Sequence, residues 1–226
     1  MTCGKKLVWY ELFPIFSFLF LRGRCAGCQS KISWQYPLVE FSTAVLFTLS
    51  AWHFWPAIPL IVLYWLITAI LVAIVAYDLR HQIIPDGFVF TLLAVVLVGF
   101  IGLQFFSSGF SLLWLWSLIW PGLVPFAIFG SIWLFSGGRA MGFGDAKLAL
   151  PLGIVLGFKD MLNMLISAFW LGAVLGLLLI IAGRLGWLKG RYGAKTALPF
   201  APFLVLGFYL VLFGVLDFLA FWPAGF

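Results

Sequence analysis

Ile58-Pro59-Leu60-Ile61-Val62-Leu63-Tyr64-Trp65-Leu66-Ile67-Thr68-Ala69-Ile70-Leu71-Val72-Ala73-Ile74-Val75-Ala76-Tyr77 runs without a charge and stops at Asp78-Leu79-Arg80-His81. A helix needs about 20 apolar residues to cross a bilayer, and this run supplies them. Comparable apolar runs occupy 38–55, 88–106, 112–135, 161–183 and 197–222, the first and last each holding one acid (Glu40, Asp217), with a shorter run at 148–158. The chain as a whole is 65% hydrophobic and 9% charged over 226 residues. Soluble domains carry about 25% charged residues, so this composition excludes a soluble globule. Three cysteines also exclude a disulfide-stapled secreted scaffold. The expected fold is all-α: a polytopic membrane bundle of about seven hydrophobic segments, 38–226, behind a small N-terminal cytosolic segment, 1–37.

The net charge of +6 reads as topology, with the lipid bilayer rather than nucleic acid as partner. With seven crossings and an inside N-terminus, Lys5, Lys6, Arg22, Arg24, Lys31, Arg80, Arg139, Lys147, Arg184, Lys189, Arg191 and Lys195 collect on one face. Lys159 alone falls on the other. The positive-inside rule makes the first face cytoplasmic. The run 148–158 contains Pro151, Gly153 and Gly157 and is short for a span, so a broken or re-entrant helix stays open there. The short run 12–21 is expected at the interface. Residues 1–11 are polar and show no cleavable signal peptide.

Acidic side chains are few: Glu11, Glu40, Asp78, Asp86, Asp145, Asp160 and Asp217. A carboxylate at membrane depth is costly and is a functional hypothesis by default; a helix-end acid reaching headgroup water is the plainer alternative. Asp78 ends the second span, and Asp145 opens the fifth in Met141-Gly142-Phe143-Gly144-Asp145-Ala146-Lys147-Leu148. The topology places both at cytoplasmic helix ends, where packing can join them. Gly142 and Gly144 leave the backbone before Asp145 bare on alternate residues. An extended, exposed strand there would pair with a peptide substrate; a flexible glycine loop is the alternative.

Two carboxylates across a water form the aspartic-protease device. Like charges about 3 Å apart cannot both ionise, so one proton is shared. One carboxylate takes a proton from the attacking water while the other donates to the carbonyl oxygen. No metal or cofactor is needed for that step. His53 and His81 are the only histidines; neither has ligand spacing, and no serine sits in a G-x-S-x-G elbow. His53 reads as a structural polar group and His81 as a loop residue.

Taken together, Asp78-Leu79 with Ile84-Pro85-Asp86, and Gly142-Phe143-Gly144-Asp145-Ala146-Lys147-Leu148, resemble the two aspartate motifs of the type IV prepilin peptidase family. Arg22-Gly23-Arg24-Cys25-Ala26-Gly27-Cys28 with Tyr36-Pro37-Leu38-Val39-Glu40 is similar to its cytosolic segment, as is Trp9-Tyr10-Glu11 with Pro14. Leu198-Pro199-Phe200-Ala201-Pro202-Phe203-Leu204 resembles the run entering its last helix. The five stretches follow one another in the family's order.

The resemblance implies a bacterial inner-membrane aspartyl protease with its N-terminus and active site facing the cytoplasm. Such proteases cut the short basic leader from prepilins and type II secretion pseudopilins, after a glycine and before a residue that is usually phenylalanine. Many then N-methylate the new terminus with S-adenosylmethionine. It implies Asp78 and Asp145 as the catalytic pair, with Lys147 and Asp86 beside the substrate. The family's pattern also has another hydrophobic helix and a further C-x-x-C ahead of this segment, and asparagine where Leu12 stands. Methylation and metal binding, both tied to that region, are the expectations these departures weaken.

Cys25 and Cys28 form a C-x-x-C with Cys3 at a distance, three of the four ligands a structural zinc takes. Reduced thiols in a turn are the alternative. Three rival classes make contrary forecasts. A proton-coupled transporter calls for inverted repeats and midplane acids, a thiol oxidoreductase for periplasmic cysteines, and a signal-peptide-peptidase-like protease shares Gly-x-Gly-Asp but not the cysteine segment.

Overall fold

A computed structural model describes residues 4, 6, 8–107, 111–185 and 199–219. Cys3, Lys5, Lys189, Arg191, Lys195 and Leu198 lie outside the described residues. Among the described residues, a short 3-10 turn at Trp9–Leu12 precedes eight helices: α1 (Phe16–Phe20), α2 (Gln35–His53), α3 (Ile58–His81), α4 (Asp86–Ser107), α5 (Leu112–Ser136), α6 (Phe143–Leu156), α7 (Phe158–Arg184) and α8 (Ala201–Leu212). Among the described residues there is no β-strand; the one bridge pairs Arg24 with Lys31.

The chain divides into two compact units, Met1–Val72 and Ala73–Phe226. In the first, the Glu40 carboxylate accepts the Ile15 backbone N–H at 2.7 Å and ties α2 to the entry of α1. Phe18 is buried edge-on to Trp34, with ring centroids 4.8 Å apart. Farther along, Trp65 stacks on Phe47 and donates its indole N–H to the Phe47 carbonyl at 2.9 Å. That bond satisfies the polar handle of a ring otherwise suited to lipid.

The second unit holds the charged helix ends. Ser111 caps α5 by accepting the Trp114 N–H, and Gly137 ends it in the left-handed region at φ 59°. α5 and α6 run antiparallel: Trp120 stacks on Phe158, while Phe126 and Trp133 reach Phe143. Their backbones touch at small residues. Pro125 has no N–H to offer the Pro121 carbonyl, and Gly153 packs against that freed oxygen. A Cβ on Gly153 would sit 2.6 Å from it, and one on Gly122 would strike the Leu150 carbonyl. α7 and α8 close in the same way, since a Cβ on Gly207 would stand 2.9 Å from the Met164 carbonyl. These contacts follow the small-residue rule of helices packed in lipid.

Four helices, α3, α4, α5 and α7, are long and apolar enough to cross a membrane. α6 has 14 residues and α8 has 12; α6 is therefore about 21 Å long, short of a hydrocarbon core of about 30 Å. Of the run expected over 197–222, the described residues 199–219 are α-helical from Ala201 to Leu212. Beyond α8, Asp217 turns back to α7. It accepts hydrogen bonds from Lys159 Nζ at 3.1 Å and from Asn163 Nδ2 at 3.0 Å, and Asn163 is fully buried. The hydrogen bond from Lys159, supported by that from Asn163, holds the Asp217 carboxyl below the usual carboxylate range.

Candidate active site

Asp78 lies in the last turn of α3, and Asp145 is the third residue of α6. Both are buried, 4% and 9% exposed, and close enough for their charges to repel. α6 starts at Gly142, whose backbone is extended (φ −74°, ψ 143°). From the first turn the Asp145 carboxylate reaches back to the Gly142 N–H, which has no partner within the helix. The Asp145 N–H in turn donates to the Gly142 carbonyl at 3.2 Å. A Cβ on Gly142 would lie 3.4 Å from Asp145 Oδ2.

Asp78 is held from another direction. The Ala201 N–H, first in α8, bonds its carboxyl, so a free helix-end donor is spent on an acid. The other oxygen, Oδ2, is buried without a hydrogen-bond partner. An orphaned buried oxygen of this kind costs free energy unless a water or substrate group meets it. Asp78 lines a cleft of about 900 Å³, as does Asp145.

The remaining residues expected here from sequence are also on that cleft: Gly142, Gly144, Asp86 and Lys147. Lys147 forms an ion pair with Asp86, the first residue of α4, and its ammonium lies 5.2 Å above the Phe143 ring. The pair fastens the start of α6 to the start of α4. Gly144 packs on the α3–α4 connection, where its missing Cβ would stand 3.0 Å from Ile84 Cβ.

Neither reading of the glycines, extended strand or flexible loop, describes the residues next to Asp145: helix begins at Phe143, so Gly144 and Asp145 are helical and only Gly142 is extended. The glycines serve close packing rather than an exposed edge. Sequence reasoning also missed several cleft residues. Gln82 lines the wall with a left-handed backbone, φ 54°, immediately after α3. Arg139, and Phe169, Gly172 and Ala173 of α7, line it too. Phe200 and Phe203 sat inside a recognised motif without an assigned role.

His81 stacks on Tyr77 on the α3 surface and His53 lies edge-on to Phe54; neither lines the cleft. Cys25 lines a separate cavity of about 270 Å³ with Glu11 and Glu40, and Cys28 Sγ lies 3.1 Å from Ser30 Oγ. Among the described residues no group of three or more His, Cys, Asp or Glu could hold a metal. Two thiols do not fit a zinc site on their own, and Cys3 lies outside the described residues.

Residues 1–54 match the family model for the bacterial peptidase A24 N-terminal domain, and residues 65–177 match that of the type IV leader peptidase family. Three relatives carry the name prepilin leader peptidase/N-methyltransferase. That of Xanthomonas campestris is 36% identical over 93% of this chain and 69% of its own length. That of Pseudomonas aeruginosa is 34% identical with the same coverage. That of Neisseria gonorrhoeae is 33% identical over 85% of this chain and 64% of its own. No solved structure matches. Ordered motifs, two adjoining family matches and relatives at this identity agree: the chain belongs to the type IV leader peptidase family.

Proposed function

We propose that the chain is a membrane-embedded aspartyl endopeptidase that removes the basic leader from type IV prepilins and type II secretion pseudopilins. The observation that carries this is the pairing of Asp78 and Asp145, two buried carboxyls from different helices on one cleft, with Asp78 Oδ2 left unpartnered. In the reaction, a water between them loses a proton to the ionised carboxyl as its oxygen attacks the scissile carbonyl carbon. The protonated carboxyl gives its proton to the carbonyl oxygen. Collapse of that tetrahedral species breaks the C–N bond, and the departing nitrogen takes up a proton. Which aspartate starts as base belongs to the pair, not to either residue.

The other residues position this pair. Gly142 and Ala201 supply the N–H groups that orient the carboxyls, and Asp86 with Lys147 holds the helix carrying Asp145. Residues 38–226 form the protease domain and 1–37 a cytosolic segment. The basic-residue asymmetry supports an inner-membrane protein of about seven segments with the dyad at the cytoplasmic face. The relatives' names support N-methylation of the new terminus with S-adenosylmethionine as a second activity. A zinc on Cys3, Cys25 and Cys28, completed by one further ligand, would order the cytosolic segment.

The test is purified protein mixed with a prepilin and S-adenosylmethionine, read by mass spectrometry. A mature pilin cut after the leader glycine supports the peptidase, and an added methyl mass supports the second activity. A prepilin that stays whole contradicts the reading.

A further inference from the structure

The elements that line the cleft differ in chemistry. The starts of α4 and α6 and the connection before α6 contribute Asp86, Lys147 and Arg139. α7 and the start of α8 contribute Phe169, Gly172, Ala173, Phe200 and Phe203, with no charge among them. Phe169 and Phe200 lie 5.3 Å apart, and fully buried Phe129 meets each edge-on at 6.0 Å. These separations are those of favourable ring contacts, so the three rings form one braced wall. Gly172 and Ala173 leave that wall hollow. A Cβ on Gly172 would have Phe203 ring atoms as its nearest neighbours, at 3.7 Å, an ordinary contact with no backbone in the way. The recess also adjoins the chemistry: Ala201, whose N–H holds Asp78, stands between Phe200 and Phe203 in the first turn of α8.

We infer that Gly172 and Ala173, with Phe169, Phe200 and Phe203, form the subsite that takes the side chain beside the scissile bond, and that the two small residues set its size for a large apolar or aromatic group. This rests on the peptidase reading, in which the cut follows a glycine, so the side chain is that of the first mature residue. A ring entering the recess leaves water and gains edge and face contacts with the wall. Filling position 172 removes that space without moving the backbone.

The test uses two peptides spanning the cut, alike except for Phe or Ala as the first mature residue. Binding to the Asp145→Asn chain in detergent is measured by calorimetry, with and without Gly172→Leu, and Ala173→Leu serves as a second filling variant. Thermal unfolding checks that each variant is folded. The Asp145→Asn chain should bind the Phe peptide about tenfold tighter or more, and either filling variant should erase the preference. Equal affinities, no binding of either peptide, or a preference that survives both filling variants would overturn the subsite. Cleavage is followed in parallel with Asp145 intact. If the Phe peptide binds preferentially and is never cut, the peptidase reading fails and only a recess selective for an aromatic side chain stands.

Discussion

The backbone N–H of Ala201 bonds the carboxyl of Asp78, joining the first residue of α8 to the last turn of α3. Residues more than a hundred positions apart are thus set by one helix-end donor. An Ala201→Pro chain lacks that N–H; its ring also adds atoms at a fully buried position, and the residue before a proline shifts away from helical geometry. Cleavage by this chain should fall about tenfold or more in kcat, while KM for a prepilin changes little. Steady-state kinetics checks this; an unchanged kcat would mean that the contact does not orient the dyad.

Gly144 gives a steric prediction. Alanine at a helical glycine ordinarily gains about 0.5–1 kcal/mol, but here its Cβ meets Ile84 Cβ at 3.0 Å. Overpacking of this kind costs about 1–3 kcal/mol, so Gly144→Ala should be net destabilising and should displace Asp145. A lowered melting temperature in detergent, with reduced cleavage, is the expected result.

The α5–α6 contact is tighter still, because backbone faces backbone. Gly153→Ala would drive a methyl into the Pro121 carbonyl, which lacks a helical donor because of Pro125. Neither oxygen nor helix can yield cheaply, so this substitution should exceed Gly144→Ala in its effect on thermal unfolding. At Gly130, where an added Cβ meets nothing within 4 Å, alanine should be tolerated.

Asp217 gives a pH prediction. Its carboxyl titrates below the ordinary carboxylate range when folded, chiefly through the hydrogen bond from Lys159. Its contribution to stability is therefore present above the unfolded carboxylate pKa and is lost as pH falls through the lower folded value. Acid unfolding of the wild type should show that loss, and Asp217→Asn should remove this component and lower the melting temperature at neutral pH. Because the Lys159 pair is partly exposed, added salt should shrink the difference between the two chains.

How much could be read from sequence follows from which signals survive in one dimension. With only seven acids in the chain, Asp78 and Asp145 stood out at the ends of apolar runs, and Asp86 and Lys147 came with their motifs. Their meeting on one cleft agrees with that reading. The packing that sets them was not legible: Gly122, Gly153 and Gly207 act through helix neighbours remote in sequence, and a small residue carries no periodic signal. Gly142 and Gly144 read in sequence as backbone freedom, an extended strand or a flexible loop, when one is a helix cap and the other a contact. Ala201 was invisible as a functional residue because its contribution is a backbone N–H. The span lengths of α6 and α8 were blurred by apolar flanks that continue past the helices.

The central claim is that Asp78 and Asp145 perform the cleavage as a pair. The most direct measurement compares wild type, Asp78→Asn and Asp145→Asn chains on one prepilin by mass spectrometry, after melting curves show all three folded. Either substitution should lower the cleavage rate by about a hundred- to ten-thousandfold, and the double variant should be no worse than the slower single one, since the two act as a unit. Complete leader removal by a folded Asp145→Asn chain at the wild-type rate would contradict the account.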